Sequence, residues 1–210
     1  MFIIFVTMTI FSFSLYGQED TVNTINLDGK YAIMFQVTSS FSLRSFEGQL
    51  FSAKKMIDNE QAWRLGVSLS GYHREGDNIG SDYTVYDASA SQISLSLSFS
   101  KQNYMNSEDF IRLYTGLGLR VRYDHSWGES NFTSYSNANE SISMGPIIYI
   151  GIEWFFTKRM SLSGEYGGYL YYRYNYYSMY SNSLSKDVTS SDQTIGFSQD
   201  DVKLGISVYF

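Results

Sequence analysis

The chain has 210 residues, 43 % of them hydrophobic and 17 % charged, with a formal net charge of -6. That length fits one domain, and an acidic chain without a Lys/Arg-rich run gives no support to nucleic-acid binding, since nothing would neutralise phosphates. The absence of Cys excludes a disulfide framework and thiol chemistry, while 19 Tyr and a single Pro suit a sheet protein at a membrane-water boundary.

Residues 1–17 are an apolar segment, too short for a comfortable membrane helix, which gives way to Gln18-Glu19-Asp20. It reads as a signal peptide with cleavage after Gly17 as the first choice and after Ser14 as the alternative, since Ser12 and Ser14 occupy small-residue positions, followed by a short lead over 18–30. After it no run approaches the roughly 18 apolar residues of a helical span. A mature membrane protein with this sequence must therefore be a barrel.

From Tyr31 onward, alternating segments of about ten residues recur, separated by connectors that alternate short and long. The spacing predicts eight antiparallel strands, at 31–41, 47–57, 62–75, 90–104, 110–123, 142–156, 160–175 and 201–210. Tight turns are expected at Asp58-Asn59-Glu60-Gln61, Asn106-Ser107-Glu108-Asp109 and Thr157-Lys158-Arg159. Longer polar loops are expected at 76–89, 124–141 and 176–200, with an unusually short first external connection near 42–46. Sorting of loops by length, short on the periplasmic side and long outside, is a barrel property.

The faces separate cleanly in most strands. Trp63, Leu65, Val67 and Leu69 oppose Arg64, Gly66, Ser68 and Ser70, and Ile93, Leu95, Leu97 and Phe99 oppose four serines. Ile111, Leu113, Leu117, Leu119, Val121 and Tyr123 oppose Arg112, Tyr114, Gly116, Gly118, Arg120 and Arg122. The distance from Ile111 to Tyr123, at about 3.3 Å per residue and a tilt of about 40°, projects to roughly 30 Å, the thickness of a bilayer core. Strand two, with Phe51, Lys54, Lys55 and Met56, leaves its facing open, and Pro146, which cannot donate to a ladder, predicts a bulge or frayed start in strand six.

An apolar outside and a polar inside are what lipid as outer solvent requires. Eight strands leave an interior only wide enough for side chains, so glycines such as Gly116 and Gly151 should make room beside Tyr114, Tyr149, Tyr169 and Tyr171. Aromatics near strand ends, among them Trp63, Tyr104, Phe110, Tyr123, Trp154, Phe156, Tyr172, Tyr174 and Phe210, suit interfacial girdles. Arg64, Arg112, Glu153 and Glu165 lie near the tight turns and should form one layer of paired charges toward the periplasmic end, with Lys203 able to join them. Two carboxylates could also serve as glycosidase acid and base, but a plugged lumen admits no sugar.

His73 and His125 fall near the outer ends of strands three and five, with Ser126 and Glu129 beside the second. A His with a Ser and an acid at that level permits a lipid A-modifying reading. Adjacent strand residues point oppositely, however, so His125 and Ser126 do not pair. No phosphate-binding glycine loop, zinc cluster or calcium loop is present, and no cofactor is expected. The Tyr-rich stretch from Tyr166 to Tyr180 also admits a carbohydrate-stacking reading.

The last strand carries the most specific resemblance. Val202, Leu204, Ile206, Val208 and Phe210 form one apolar face ending on an aromatic, which resembles the C-terminal signal read by the barrel-assembly machinery of bacterial outer membranes. Phe51-Ser52-Ala53-Lys54-Lys55-Met56, a turn, and Ala62-Trp63-Arg64-Leu65-Gly66 resemble the first periplasmic hairpin of such proteins. Over 31–210 the chain resembles the small OmpA/OmpX-like outer-membrane β-barrel domains. The resemblance implies an all-β, eight-stranded up-and-down transmembrane barrel in the outer membrane, in contact with its lipids and monomeric. It also implies a structural, adhesive or defensive role through the external loops, and no enzyme activity. The rival is a soluble lipocalin-like barrel with an apolar ligand inside, in which the aliphatic faces would turn inward.

Overall fold

A computed structural model describes residues 25–37, 49–79, 85–105, 109–130, 135–181 and 186–210. The signal segment 1–17, most of the lead, the first external connection and much of the second tight turn lie outside the described residues.

Among the described residues nine strands form one antiparallel sheet: β1 Tyr31–Val37, β2 Gln49–Met56, β3 Gln61–Ile79, β4 Val85–Met105, β5 Ile111–Ser130, β6 Tyr135–Thr157, β7 Met160–Ser181, β8 Lys186–Gln199 and β9 Lys203–Tyr209. Each of β1 to β7 pairs with the next, and β7 pairs with β8 through its outer part and with β9 through its inner part. β8 and β9 are thus two halves of one eighth stave, and β9 pairs with β1 to close the ring. Tyr31 and Phe210 exchange backbone hydrogen bonds of 3.1 and 2.9 Å across that seam. Closure leaves no edge at the level of the seam, as an embedded sheet requires.

Side chains follow the alternation with the inverse polarity of a soluble protein. Leu117, Leu119 and Ile148 are each 63 % exposed on the outside, whereas Arg112 and Glu153 are fully buried inside. The lipocalin-like arrangement requires the opposite. β2 resolves its open facing with Ser52, Lys54 and Met56 inward and Phe51 and Lys55 outward. Tyr104, expected in the girdle, is instead buried in the lumen, while the other aromatics named for the girdles are exposed.

The expected external loops are largely strand. β3 and β4 run on to Ile79 and from Val85, β5 and β6 to Ser130 and from Tyr135, and β7 and β8 to Ser181 and from Lys186. Ser, Asn, Asp and Tyr in these stretches obscure the strands because outside the membrane both faces meet water and apolar alternation is no longer required. Backbone pairing continues nonetheless, giving tall outer ribbons.

Two irregularities shape the wall. Glu165 faces Lys203 and Gly168 faces Gln199, so 166 and 167 on β7 oppose 200, 201 and 202 on the eighth stave. This one-residue bulge, anchored by Asp200 N donating to Gly167 O at 2.8 Å, resets the alternation: Asp200 keeps the inward parity of Gly196 and Ser198, and Lys203 is the next inward residue after it. At Pro146 the expected bulge is absent. The β6–β7 ladder skips Gly145 and Pro146 but keeps register, with Met144 opposite Tyr172 and Ile147 opposite Tyr169. The skip fits a Pro without an N–H and a tight contact, since a Cβ on Gly145 would lie 1.9 Å from the Leu170 carbonyl oxygen. The register shift on this pair falls between Phe155 and Thr157, beside the tight turn.

Candidate functional site

The strongest concentration of polar chemistry is the lumen, which the turns organise from below. Asp58 Oδ1 accepts from the backbone N–H groups of Glu60 and Gln61, each at 2.7 Å, and Thr157 Oγ1 accepts from those of Arg159 and Met160. These local bonds fix tight connections between β2 and β3 and between β6 and β7. They set the heights at which the first inward residues of each hairpin meet.

Inside, Glu153 accepts from four groups: Lys54 Nζ at 3.0 Å, Tyr104 OH at 2.7 Å, Tyr209 OH at 2.8 Å and Ser161 Oγ at 2.5 Å. Lys54 in turn donates to the Tyr104 and Tyr209 hydroxyls at 2.7 and 3.0 Å, and both members of the Lys54–Glu153 pair are fully buried. A neighbouring cluster centres on Glu165, gripped by Arg64 at 2.6 and 3.2 Å through two guanidinium nitrogens. Tyr114 OH donates to it at 3.3 Å and Lys203 approaches at 3.7 Å. Arg64 also lies over the Tyr149 ring, 4.4 Å from its centroid. Two glycines permit this density: a Cβ on Gly116 would lie 2.0 Å from the Tyr149 ring, and one on Gly151 2.3 Å from the Tyr114 ring.

Arg112 takes a different place from the one expected. It stands opposite Glu153 in the β5–β6 register, yet its guanidinium turns to the periplasmic end. There it donates to the carbonyls of Ile25 at 2.6 Å, Asp109 at 3.2 Å and Asn59 at 3.4 Å, and lies over the Phe155 ring. The lead explains the choice. Ile25 and Leu27 are buried against the barrel floor, Leu27 N donates to Asn59 Oδ1 at 2.7 Å, and Gly29, at φ +69°, turns the chain into β1. Arg112 holds this cap, leaving Glu153 to Lys54.

Toward the outside the pairing loosens. The bulge residue Asp200 accepts two bonds from Arg120, at 2.9 and 2.7 Å, and one from Lys203 at 2.6 Å. Arg122 pairs with Asp124 at 2.8 Å, and Ser94 donates to the same carboxylate. Between these groups and the buried clusters lies a cavity of about 290 Å³, lined among others by Ser96, Ser98, Arg122 and Tyr169. The lumen is thus densely filled in its periplasmic half and hollow above.

Sequence reasoning missed Lys54, Tyr104, Ser161, Asp200 and the capping role of Ile25 and Leu27. Lys54 was accessible: counting back from the first tight turn places it directly opposite Arg64, as the register shows. Asp200 was not, because the bulge breaks the period on which the count rests. Val202, Leu204, Ile206, Val208 and Phe210 all project outward and are exposed.

The histidines lie on the outer surface. His73 Nδ1 is 2.7 Å from Ser91 Oγ and its Nε2 3.0 Å from Glu75, while His125 Nδ1 lies 3.4 Å from Glu140. Ser91 is buried, and Glu75 has 77 % of its side chain exposed. A nucleophile needs an approachable hydroxyl and a fixed acid, and this arrangement has neither. Among the described residues no group of three potential ligands could hold a metal ion.

No family model matches the chain, and no curated protein does. Solved structures do match. A major outer membrane protein from Thermus thermophilus is 15 % identical with a TM-score of 0.57, over 86 % of this chain and 99 % of that one. OprG from Pseudomonas aeruginosa is 11 % identical with a TM-score of 0.54, over 91 % and 99 %. At such identities the likeness is one of fold, and it coincides with the closed ring, outward apolar faces and charged interior described above. The chain has the all-β, eight-stave fold of the small outer-membrane β-barrels.

Proposed function

We propose that the chain is an integral protein of the bacterial outer membrane whose plugged barrel is a non-enzymatic scaffold for its outer ribbons. Its role is then structural or one of external interaction, in adhesion, defence or envelope integrity. The observation that carries this reading is the polarity inversion: Lys54–Glu153 and Arg64–Glu165 are buried at the centre while the aliphatic faces are bare. Burying ions inside and leaving Leu and Ile exposed is favourable only when the surrounding solvent is lipid. The partners of such a protein are outer-membrane lipids and, during insertion, the assembly machinery reading the Phe210 strand; the barrel acts as a monomer with a closed lumen and no cofactor.

Fractionation tests the location. The protein should sediment with outer membranes, and unheated samples should migrate faster than boiled ones on a detergent gel. Recovery in the soluble periplasmic fraction would overturn the reading. In planar bilayers the barrel should show at most rare, small openings, because the Lys54 and Arg64 clusters block the lumen; a steady large conductance would instead indicate a pore. Removal of Phe210 should reduce folded protein in the membrane far more than Ser207→Ala, and equal yields would remove the assembly role assigned to that strand.

A further inference from the structure

Four residues beyond Tyr123, whose outward ring ends the apolar row of β5, the same outward face presents Trp127. Its neighbours across the sheet are small: Trp127 stands opposite Ala138 on β6, and Ala138 opposite Ser178 on β7. The large ring beside two small residues leaves a recess of about 220 Å³, lined by Trp127, Gly128, Glu129, Ser136, Asn137, Ala138 and Ser178. The side chains of Trp127, Glu129, Ser136, Ala138 and Ser178 share the outward parity, so the recess opens sideways toward the surrounding membrane. His125 packs beside Trp127 at a centroid distance of 5.1 Å and supports the ring from the row below.

The lining has a definite chemical character: one aromatic face, one carboxylate, one amide, hydroxyls, and no Lys or Arg. An aromatic face takes the apolar C–H face of a sugar ring, and a carboxylate with hydroxyls takes its hydroxyl groups by charge-assisted hydrogen bonds. A phosphate or uronate would meet Glu129 without a counter-charge. Height supplies the source of the sugar. Four residues above Tyr123 amount to about 13 Å along the strand and, at a tilt of about 40°, about 10 Å above the hydrocarbon edge, beyond the glycerol zone.

We propose that this recess binds a neutral hexopyranose in the headgroup of an outer-leaflet glycolipid, with the ring stacked on Trp127 and hydroxyls bonded to Glu129, Ser136 and Ser178. The lipid's acyl chains then lie along the outward row of Tyr123, Ile142 and Tyr174, one outward row beneath that of His125, Glu140 and Tyr176. The proposal rests on the outer-membrane reading and deepens it, by naming one lipid class the outer ribbon holds.

The test uses the full barrel, folded in a detergent without sugar groups, and native mass spectrometry of the lipid it retains. Digalactosyldiacylglycerol and phosphatidylglycerol are the neutral and anionic probes, and methyl galactoside is the free sugar. Preferential retention of the galactolipid is expected, with a loss of about tenfold in Trp127→Ala, as for truncation of an interface anchor, and a smaller loss in Glu129→Gln. Trp154→Phe, on the outer wall near the periplasmic end, should retain it fully. The heat-dependent gel shift of each variant establishes that the barrel has folded. A folded barrel that retains both lipids equally, or whose Trp127→Ala variant retains the galactolipid unchanged, overturns the proposal while leaving the barrel reading intact. Saturable binding of methyl galactoside without retention of the galactolipid overturns the membrane source.

Discussion

Both halves of the lumen hold ion pairs between basic and acidic side chains but differ in how completely they enclose them. In the periplasmic half the Lys54–Glu153 side chains are fully buried and those of Arg64–Glu165 at most 3 % exposed. In the outer half Arg120 and Asp200 are each 16 % exposed and Arg122 reaches 38 %. The difference follows from packing: Tyr104, Tyr114, Tyr149 and Tyr209 fill the lower half over small residues, whereas Ser96 and Ser98 face a cavity above. An ion pair's worth scales with what its removal would strand away from water. The lower clusters should therefore act as the seal and the upper pairs as adjustable surface chemistry.

The sharpest way to break this comparison is Glu153→Ala. It strands Lys54 among three donors with no acceptor charge, and should cost about 3–5 kcal/mol, the range found on breaking buried pairs. Urea unfolding of the membrane-inserted barrel, followed by tryptophan fluorescence, measures it. Replacing both partners with apolar residues, Lys54→Met with Glu153→Leu, should be much less damaging than either single change. A double variant as unstable as the sum of the singles would mean that the cluster is needed for more than mutual neutralisation.

Packing beneath the seal is the next level. Gly151→Ala drives a methyl group into the Tyr114 ring, and overpacking of this kind costs about 1–3 kcal/mol. Combining it with Tyr114→Leu should recover part of the loss by vacating the ring's space, although Glu165 then loses one donor. No recovery would show that the strain resides in the backbone rather than against the ring.

Asp200→Asn probes the boundary between the halves. It leaves Arg120 and Lys203 without their shared carboxylate but within reach of the cavity's water, so the expected loss is about 1–2 kcal/mol, below that of Glu153→Ala. Because Asp200 stands at the bulge, with its backbone N–H bonded to Gly167 O, its loss should also loosen the wall next to the cavity. Hydrogen exchange of the β8–β9 junction should rise while that of β5 near Arg112 stays unchanged.

How far these sites could be read from the sequence depended on whether period two survived. In β9 and in the inner parts of β3, β4 and β5 the apolar row faces lipid, and the alternation gave both the strands and their facing. Arg64, Arg112, Glu153, Glu165 and Lys203 were inward by the same count. Arg112's actual partners were not legible, because they are backbone carbonyls, one from the aperiodic lead at Ile25 and two from the tight turns at Asn59 and Asp109. Lys54 and Lys55 face opposite ways, and only the count back from the first tight turn, which sets Lys54 opposite Arg64, separates them. The outer ribbons were read as loops because polar residues on both sides erase the signal while the backbone ladder continues. Asp200 escaped a count run back from the last strand, since the residue inserted between it and Lys203 reverses the facing across the bulge.

The smallest effect belongs to the mouth of the barrel. Arg122 holds Asp124 and Ser94, but its side chain is over one-third exposed, and water replaces those bonds when it is removed. Arg122→Gln should therefore change stability by no more than about 1 kcal/mol, and less as salt is raised, since exposed pairs are screened. The same urea series measures it at low and high ionic strength. The ratio of this loss to that of Glu153→Ala is the quantity of interest, because both residues sit on inward positions of neighbouring staves and differ mainly in depth. If Arg122→Gln proves as costly as Glu153→Ala, the outer half is as sealed as the inner half and the cavity contributes no solvation. A small, salt-sensitive loss instead places the boundary between the two regimes at the Asp200 bulge, where the wall itself changes register.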